Sequence, residues 1–327
     1  MKTFPMAQLV RGAAGIAACC AMLAGNAAHA QTWPAKPIRW IVPFPAGGPA
    51  DTVARQIAPQ LGDRLGQSVV IDNRPGGNSN IGFEAGARAA PDGHTMLFVI
   101  AGFVTNPHLY KLTWDPFKDF IPVVQMNQLQ AMLLASAKFG PSTLQEVVDY
   151  AKDKKGPLRC AWGGSILLAL GCEVLKHEAK LDVTVVPYKG SAPAMTDLVG
   201  GHVDLMIDVS NTAIPQIKAG RVKPIAMLNT VRGRQPFPEL PALSELIPGF
   251  EMLTWQGIVM PAGTPREFAT RINREVNAIL QTPEMKQKYA EAGLEAVTIS
   301  PEQFGEVMQR DYVKYGKIIR AANIKID

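Results

Sequence analysis

From residue 38 onward, short apolar runs alternate with longer stretches whose apolar positions recur every three to four residues. Residues 38–44 read as a strand that ends in the turn Pro45-Ala46-Gly47-Gly48-Pro49-Ala50-Asp51. That turn opens a helix with Val53, Ile57, Leu61 and Leu65 on one stripe, and Pro59 is expected to kink or split it. Residues 68–72 are a second strand, 73–82 a polar, glycine-rich loop, and a helix follows to about Ala90. Pro91-Asp92-Gly93 turns the chain into a strand at 95–100. This rhythm predicts a parallel sheet with helices on its faces.

A second set follows. Strands are expected at 131–135, 158–161, 183–187, 203–209 and 222–228, with helices near 166–179, 193–199 and 213–218. Ser142 reads as the cap of a further helix, with Gln145 as its capping-box partner. In the last third, Thr264-Pro265-Arg266-Glu267, Thr282-Pro283-Glu284 and Ser300-Pro301-Glu302-Gln303 mark three helix starts. These helices are expected to bury Phe268, Ile272, Val276, Met285, Tyr289, Phe304, Met308, Tyr312 and Tyr315. The chain shows no fixed-period repeat and no low-complexity linker, so any two lobes must be joined by short crossovers, as in a hinged clamp.

The N-terminus changes the picture. Lys2 and Arg11, an uncharged stretch from Ala13 to Ala24, and Ala28-His29-Ala30 have the anatomy of a secretory signal peptide cut after Ala30. The apolar run is well short of the roughly 20 residues that span a bilayer, and a lipoprotein cut at Cys19 or Cys20 fits less well. The leader is therefore taken as residues 1–30 and the mature chain as periplasmic. Removing Lys2 and Arg11 lowers the formal net charge from +5 to +3, which does not mark a nucleic-acid binder. Cys160 and Cys172 remain. An oxidising compartment permits a disulfide between them, and the alternative is two small buried hydrophobes. The mature length is that at which single cores split into domains.

Chemistry is expected where turns follow strands, because ligands of open parallel sheets bind beyond the carboxyl ends of the strands. Four turns qualify: Ala46-Gly47-Gly48, Gly76-Gly77-Asn78-Ser79-Asn80, Trp162-Gly163-Gly164-Ser165 and Lys189-Gly190-Ser191. Each runs towards a helix N-terminus, where backbone N–H groups and the helix dipole can receive a carboxylate without an Arg. The alternative at each is a glycine that serves the turn alone. Asp208 ends an apolar strand and reads either as a ligand acceptor or as a cap for the next helix. Enzymatic signatures fail. The G-x-G-x-x-G spacing and the phosphate loop are missing, and Leu167 stands where a nucleophile elbow needs its second glycine. His94, His108, His177 and His202 form no i, i+4 pair, so no metal or other cofactor is expected.

The run Trp33-Pro34-Ala35-Lys36-Pro37-Ile38-Arg39, then Ile41-Val42-Pro43-Phe44, Ala46-Gly47-Gly48, Asp51 and Ala54-Arg55, resembles the opening of the Bug (TctC-like) receptors of tripartite tricarboxylate transporters. The likeness continues through Asn73-Arg74-Pro75-Gly76, Pro91-Asp92-Gly93, Asn106-Pro107-His108-Leu109-Tyr110, Pro187-Tyr188-Lys189-Gly190, Trp255-Gln256-Gly257 and Pro261-Ala262-Gly263-Thr264-Pro265. The resemblance implies an α/β, type II periplasmic-binding-protein fold. Residues 31–130 with 255–327 would form one lobe and 131–254 the other, with the ligand cleft between them. It implies a monomeric, non-enzymatic receptor that holds a small carboxylate through backbone N–H groups and ordered water, and that delivers it to the transporter's membrane components. A receptor reused for signalling, or an enzyme on the same scaffold, is the alternative. The site implied is Phe44, Ala46, Gly47, Gly48, Asn78 and Ser79 from one lobe, with Ser165, Lys189, Gly190 and Asp208 from the other. Two departures stand out: Asn78-Ser79 where the family carries small residues and glycine, and Ala169 where it carries a His. Trp162 would either stack on an aromatic acid or serve the core.

Overall fold

The computed structural model describes residues 33–321 apart from 154–155, 164, 231 and 233–236; the expected leader lies outside the described residues. Strand β1 (Ile38–Val42) pairs in parallel with β2 (Val69–Asn73) and β3 (Thr95–Ile100). Helices α1 (Pro49–Leu65) and α2 (Asn80–Ala87) make the crossovers, and the short α3 (Gly102–Thr105) follows β3. Pro59 does not split α1, which runs unbroken through it. It lies on the exposed face, where the Arg55 carbonyl that it deprives of a partner can meet water.

Strand β4 (Phe120–Ser136) is three times longer than the segment expected from its apolar half. Its first part pairs antiparallel with β9 (Leu253–Pro261), and its last part, from Ala131, pairs with β7 (Leu205–Val209). The missed residues include Gln125, Asn127, Gln128 and Gln130, which alternate irregularly with Met126 and Leu129 and blur the apolar pattern of the strand. Asn127 is buried because its amide donates to Gln256 Oε1 at 2.9 Å on β9.

Helix α4 (Leu144–Asp153) leads to β5 (Leu158–Gly163), then α5 (Ile166–His177), β6 (Val183–Tyr188), α6 (Ser191–Gly200), β7, α7 (Ser210–Lys218) and β8 (Val222–Met227). After β9 come α8 (Arg266–Leu280), α9 (Pro283–Glu291), β10 (Leu294–Ala296) and α10 (Pro301–Ala321). The sheet order is β2-β1-β3-β9-β4-β7-β5-β6, with β8 and β10 also on β4. β4 therefore belongs to two half-sheets. The α/β periplasmic-binding-protein-like fold expected from the sequence is the one observed.

Cores lie on both faces of each half-sheet. One packs β1, β3 and β9 against Ile57 and Leu61 of α1, and against Ile272, Val276 and Met285 of α8 and α9. Another lies under Ala194, Leu198 and Ala213 of α6 and α7. The third runs continuously beneath α2, α4, α5 and α10, through Phe304, Met308 and Tyr315. Helix α10 is also bonded to the returning strand. Trp255 Nε1 donates to Asp311 at 2.8 Å, and the Tyr315 hydroxyl donates to the Leu253 carbonyl at 3.0 Å. Phe268 and Tyr312 are only half-buried, and Phe268 stacks on Trp33 at 4.3 Å.

Two expected caps are displaced. Thr143, not Ser142, accepts the Glu146 amide at 3.2 Å, while Glu146 reaches back to the Ser142 amide at 2.7 Å. Thr264 donates to the Pro261 carbonyl and leaves α8 without a side-chain cap. Thr282 caps α9, and Ser300 with Gln303 forms the reciprocal box of α10. Cys160 and Cys172 form a disulfide between β5 and α5, with Cα atoms 5.9 Å apart.

Candidate functional site

The carboxyl ends of β2 and β3 meet the carboxyl end of β5 at a narrow cavity too tight to admit a water-sized sphere. Its walls are Asn78, Ser79, Phe83, Ile100, Gly102 and Asn106 on one side, and Ser165 and Ile166 on the other. Of the expected site residues, the fold brings together Asn78, Ser79 and Ser165. Phe44, Ala46, Gly47, Gly48, Lys189, Gly190 and Asp208 do not line this space. A wider, open groove between α1 and β2 lies at the amino end of β2, away from the strand ends where ligands of such sheets bind.

The turn after β1 is built on Asp51. This carboxylate is 1% exposed and accepts from the Gly47 amide at 2.8 Å, Asn73 Nδ2 at 2.9 Å and Arg55 Nε at 2.7 Å. Gly48 donates to the Pro45 carbonyl at 3.2 Å. The Gly47 and Gly48 amides thus serve the turn itself, and Ala46 is left with no protein acceptor for its amide among the described residues. Phe44 is half-buried, edge-on to Phe98, and its carbonyl accepts from Asn73 at 3.1 Å. Burial alone would raise the pKa of Asp51. The hydrogen bonds from Arg55, Gly47 and Asn73, with the Arg55 charge, overcome it and hold the carboxyl below its ordinary value.

The loop after β2 is conformationally costly. Asn78 (φ 50°) and Ser79 (φ 72°) are consecutive left-handed residues that are not glycine. Such a conformation costs on the order of 1–3 kcal/mol per residue, less for Asn, and persists only where the surroundings impose it. Ser79 is 6% exposed and stands at the N-terminus of α2 without capping it. Its hydroxyl has no protein partner among the described residues and is available at the cavity wall.

Across the cavity, Ser165 caps α5 by accepting the Leu167 amide at 3.3 Å. Gly164 lies outside the described residues. Gly163 is required by packing: a Cβ there would lie 2.2 Å from the Gly190 carbonyl oxygen. Trp162 sits half-buried against the same core as Leu158 and Cys160. Lys189 is exposed. Asp208 is completely buried and accepts from Ser191 Oγ at 2.8 Å, the Val209 amide at 2.9 Å and Thr212 Oγ1 at 2.7 Å. It ties together the first turns of α6 and α7. Burial raises its pKa to about 6, and the bonds from Thr212, Ser191 and Val209 offset part of that rise. Among the described residues no group of three or more His, Cys, Asp or Glu side chains could hold a metal ion.

Gly102 and Asn106 are wall residues that the sequence reading passed over. The turn after β3 obeys the same carboxyl-end rule as the four turns chosen, but it has only one glycine and opens a single helical turn. Asn106 begins the Asn106-Pro107-His108-Leu109-Tyr110 run already noted in the sequence.

Known proteins resemble this chain in sequence and fold. A Pseudomonas protein of the tcbD-tcbE intergenic region (strain P51) is 34% identical over 310 residues, covering 94% of this chain and 92% of its own. BugT of Bordetella pertussis is 31% identical, covering 91% and 92%. Among solved structures, an R. palustris protein with adipate is 32% identical with a TM-score of 0.82, covering 90% of this chain and 99% of its own. MatC of Rhodopseudomonas palustris with bound malate is 30% identical with a TM-score of 0.79, covering 88% and 100%. The periplasmic binding protein BugD is 32% identical with a TM-score of 0.79, covering 90% and 99%. Residues 53–324 match the tripartite tricarboxylate transporter family receptor, TctC, and the chain belongs to that family.

Proposed function

We propose that this chain is a periplasmic, non-enzymatic receptor that captures a small carboxylate between its two lobes and delivers it to the membrane components of a tripartite tricarboxylate transporter. The observation that carries the reading is the cavity shared by strand ends of both half-sheets, with Asn78 and Ser79 on one wall and Ser165 on the other. The N-terminus of α5 opens at that wall and supplies partial positive charge with no Arg or Lys in the lining. Adipate and malate in the R. palustris relatives support the ligand class. Residues 31–130 with 255–327 form one closing body and 131–254 the other, and they hinge where β4 passes between the half-sheets and the chain returns to the first through β9. The turn after β1 contributes the Ala46 amide, while Gly47 and Gly48 shape it. Lys189 lies at the rim, and Gly190 and Asp208 support the second wall from behind.

Thermal unfolding of the mature protein against a panel of mono-, di- and tricarboxylates tests this. A ligand present at 100 times its Kd should add about 2.7 kcal/mol of stability. No shift with any acid, together with no acid in the mass spectrum of the natively purified protein, would overturn the reading. Loss of acid uptake on deletion of the gene ties the receptor to transport.

A further inference from the structure

We infer that Asn106 is the positioning residue of the candidate site. It holds the 78–80 loop in the left-handed conformation that faces the cavity, while Tyr110 orients the Asn78 side chain. The affinity arm of this inference rests on the carboxylate-receptor reading; the conformational arm does not.

Two adjacent non-glycine residues do not hold positive φ by local preference. Three described residues other than glycine do so in this chain, and two of them are Asn78 and Ser79 at the cavity. Something outside the loop must hold them there. Asn106 is 2% exposed and begins the 3-10 turn Asn106–His108 that follows α3. Its side-chain amide donates to the Asn78 carbonyl at 3.0 Å and to Asn80 Oδ1 at 2.9 Å. Both of its N–H donors are thereby used on this loop. The Asn78 carbonyl can only accept, so the amide orientation is dictated by its partners. The Tyr110 hydroxyl accepts from Asn78 Nδ2.

The clamp itself is anchored. The Leu109 and Tyr110 amides both return to the Asn106 carbonyl at 2.9 Å. His108 Nε2 pairs with the Tyr312 carbonyl of α10 at 2.9 Å, with the two rings 4.2 Å apart. Gly316 leaves room for that imidazole, since a Cβ there would lie 2.4 Å from it. Segment 106–110 is therefore docked on the long C-terminal helix and presents Asn106 to the loop from a fixed base. A short polar loop is held from outside by a buried amide, much as a supporting hydrogen bond orients a ligating side chain.

Hydrogen–deuterium exchange of the full mature protein separates positioning from general support, with adipate and malate as affinity probes. Asn106→Asp sets an acceptor against two acceptors. It should speed exchange at the Asn80 and Phe83 amides about tenfold, leave β1 and α5 amides unchanged, and weaken the probe that binds by about thirtyfold. Asn106→Ser, with one donor, should fall between Asn106→Asp and the parent. Tyr110→Phe removes only the hydroxyl. It should keep the melting temperature within about 1 °C while shifting the adipate-to-malate preference about threefold. Parental exchange at Asn80 and Phe83 in both Asn106 variants would overturn the inference, and so would an equal rise across β1 and α5. If the parent binds neither probe nor any other acid, the receptor reading fails while the exchange result still decides the role of Asn106.

Discussion

Behind the turn after β1 lies Asp51; behind the turns after β6 and β7 lies Asp208. Both carboxyls are buried, and each gathers three hydrogen bonds from the turns beside it. They differ in company. Asp51 has Arg55 one helical turn away and stays charged. Asp208 has two hydroxyls and one amide but no cation, and its pKa rises to about 6. The loops differ as well. The 78–80 loop is held in a left-handed conformation by Asn106, whereas Ser165 sits in ordinary extended backbone and its helix is tied to β5 by a disulfide. The turns of the first half-sheet are thus maintained by charge and imposed conformation, those of the second by burial and a covalent link.

The largest effect should come from that link. The bond closes a loop with a separation of 12 residues, and reducing it should cost about 3 kcal/mol by the loop-entropy estimate. Urea midpoints with and without reductant measure this; coincident midpoints would show that the second wall does not depend on it.

Matched Asn substitutions of the two aspartates come next. Asp51→Asn should cost about 2–3 kcal/mol at pH 7, because it removes a charged acceptor from Arg55 and turns an amide donor towards other donors. Asp208→Asn should cost less and should act mainly on pH dependence. The folded pKa of Asp208 lies above the ordinary 3.8. Between about pH 4 and about pH 6 the folded chain therefore keeps a proton that the unfolded chain has lost, and the stability from this group falls as pH rises through that window. Asn cannot titrate, so the variant should remove roughly 2–3 kcal/mol of that decline. Asp51 has the opposite sign: its contribution is present above pH 3.8 and is lost as the pH falls through its lower folded value. Denaturation curves from pH 3 to 7 would merge the two cases if both variants changed the profile alike.

The smallest effect is Ser79→Gly. Glycine meets no steric penalty at φ 72°, so stability should rise by about 1 kcal/mol. Removing the hydroxyl from the cavity wall should weaken acid binding about threefold. A variant that is both more stable and tighter in binding would show that Ser79 contributes only strain.

Much of this fold is legible in one dimension. The α/β alternation, the helix caps at Thr282 and Ser300, and the turns after β2 and β5 follow from periodicity and turn chemistry, which act over a few residues. The middle of β4 does not, because Gln125, Asn127, Gln128 and Gln130 break the apolar pattern and are satisfied only once β9 supplies partners. Phe44 follows from family likeness, and Ala46 and Lys189 also from the turns that end strands, yet none of the three lines the small cavity. Asn106 was inside a motif, but nothing local marks a side chain whose partners lie 26 and 28 residues earlier.

The chain order of apolar and polar residues dictates the elements, since each element buries a stripe or a face that its own spacing creates. Whether the Gly47 and Gly48 amides remain open to a ligand or serve a buried aspartate is a matter of which groups converge across the fold. The same is true of the protonation of Asp208, the pairing of Cys160 with Cys172 and the conformation of Asn78 and Ser79. Hydrogen bonding, desolvation and disulfide formation depend on distances between residues far apart in sequence, and packing alone sets those distances.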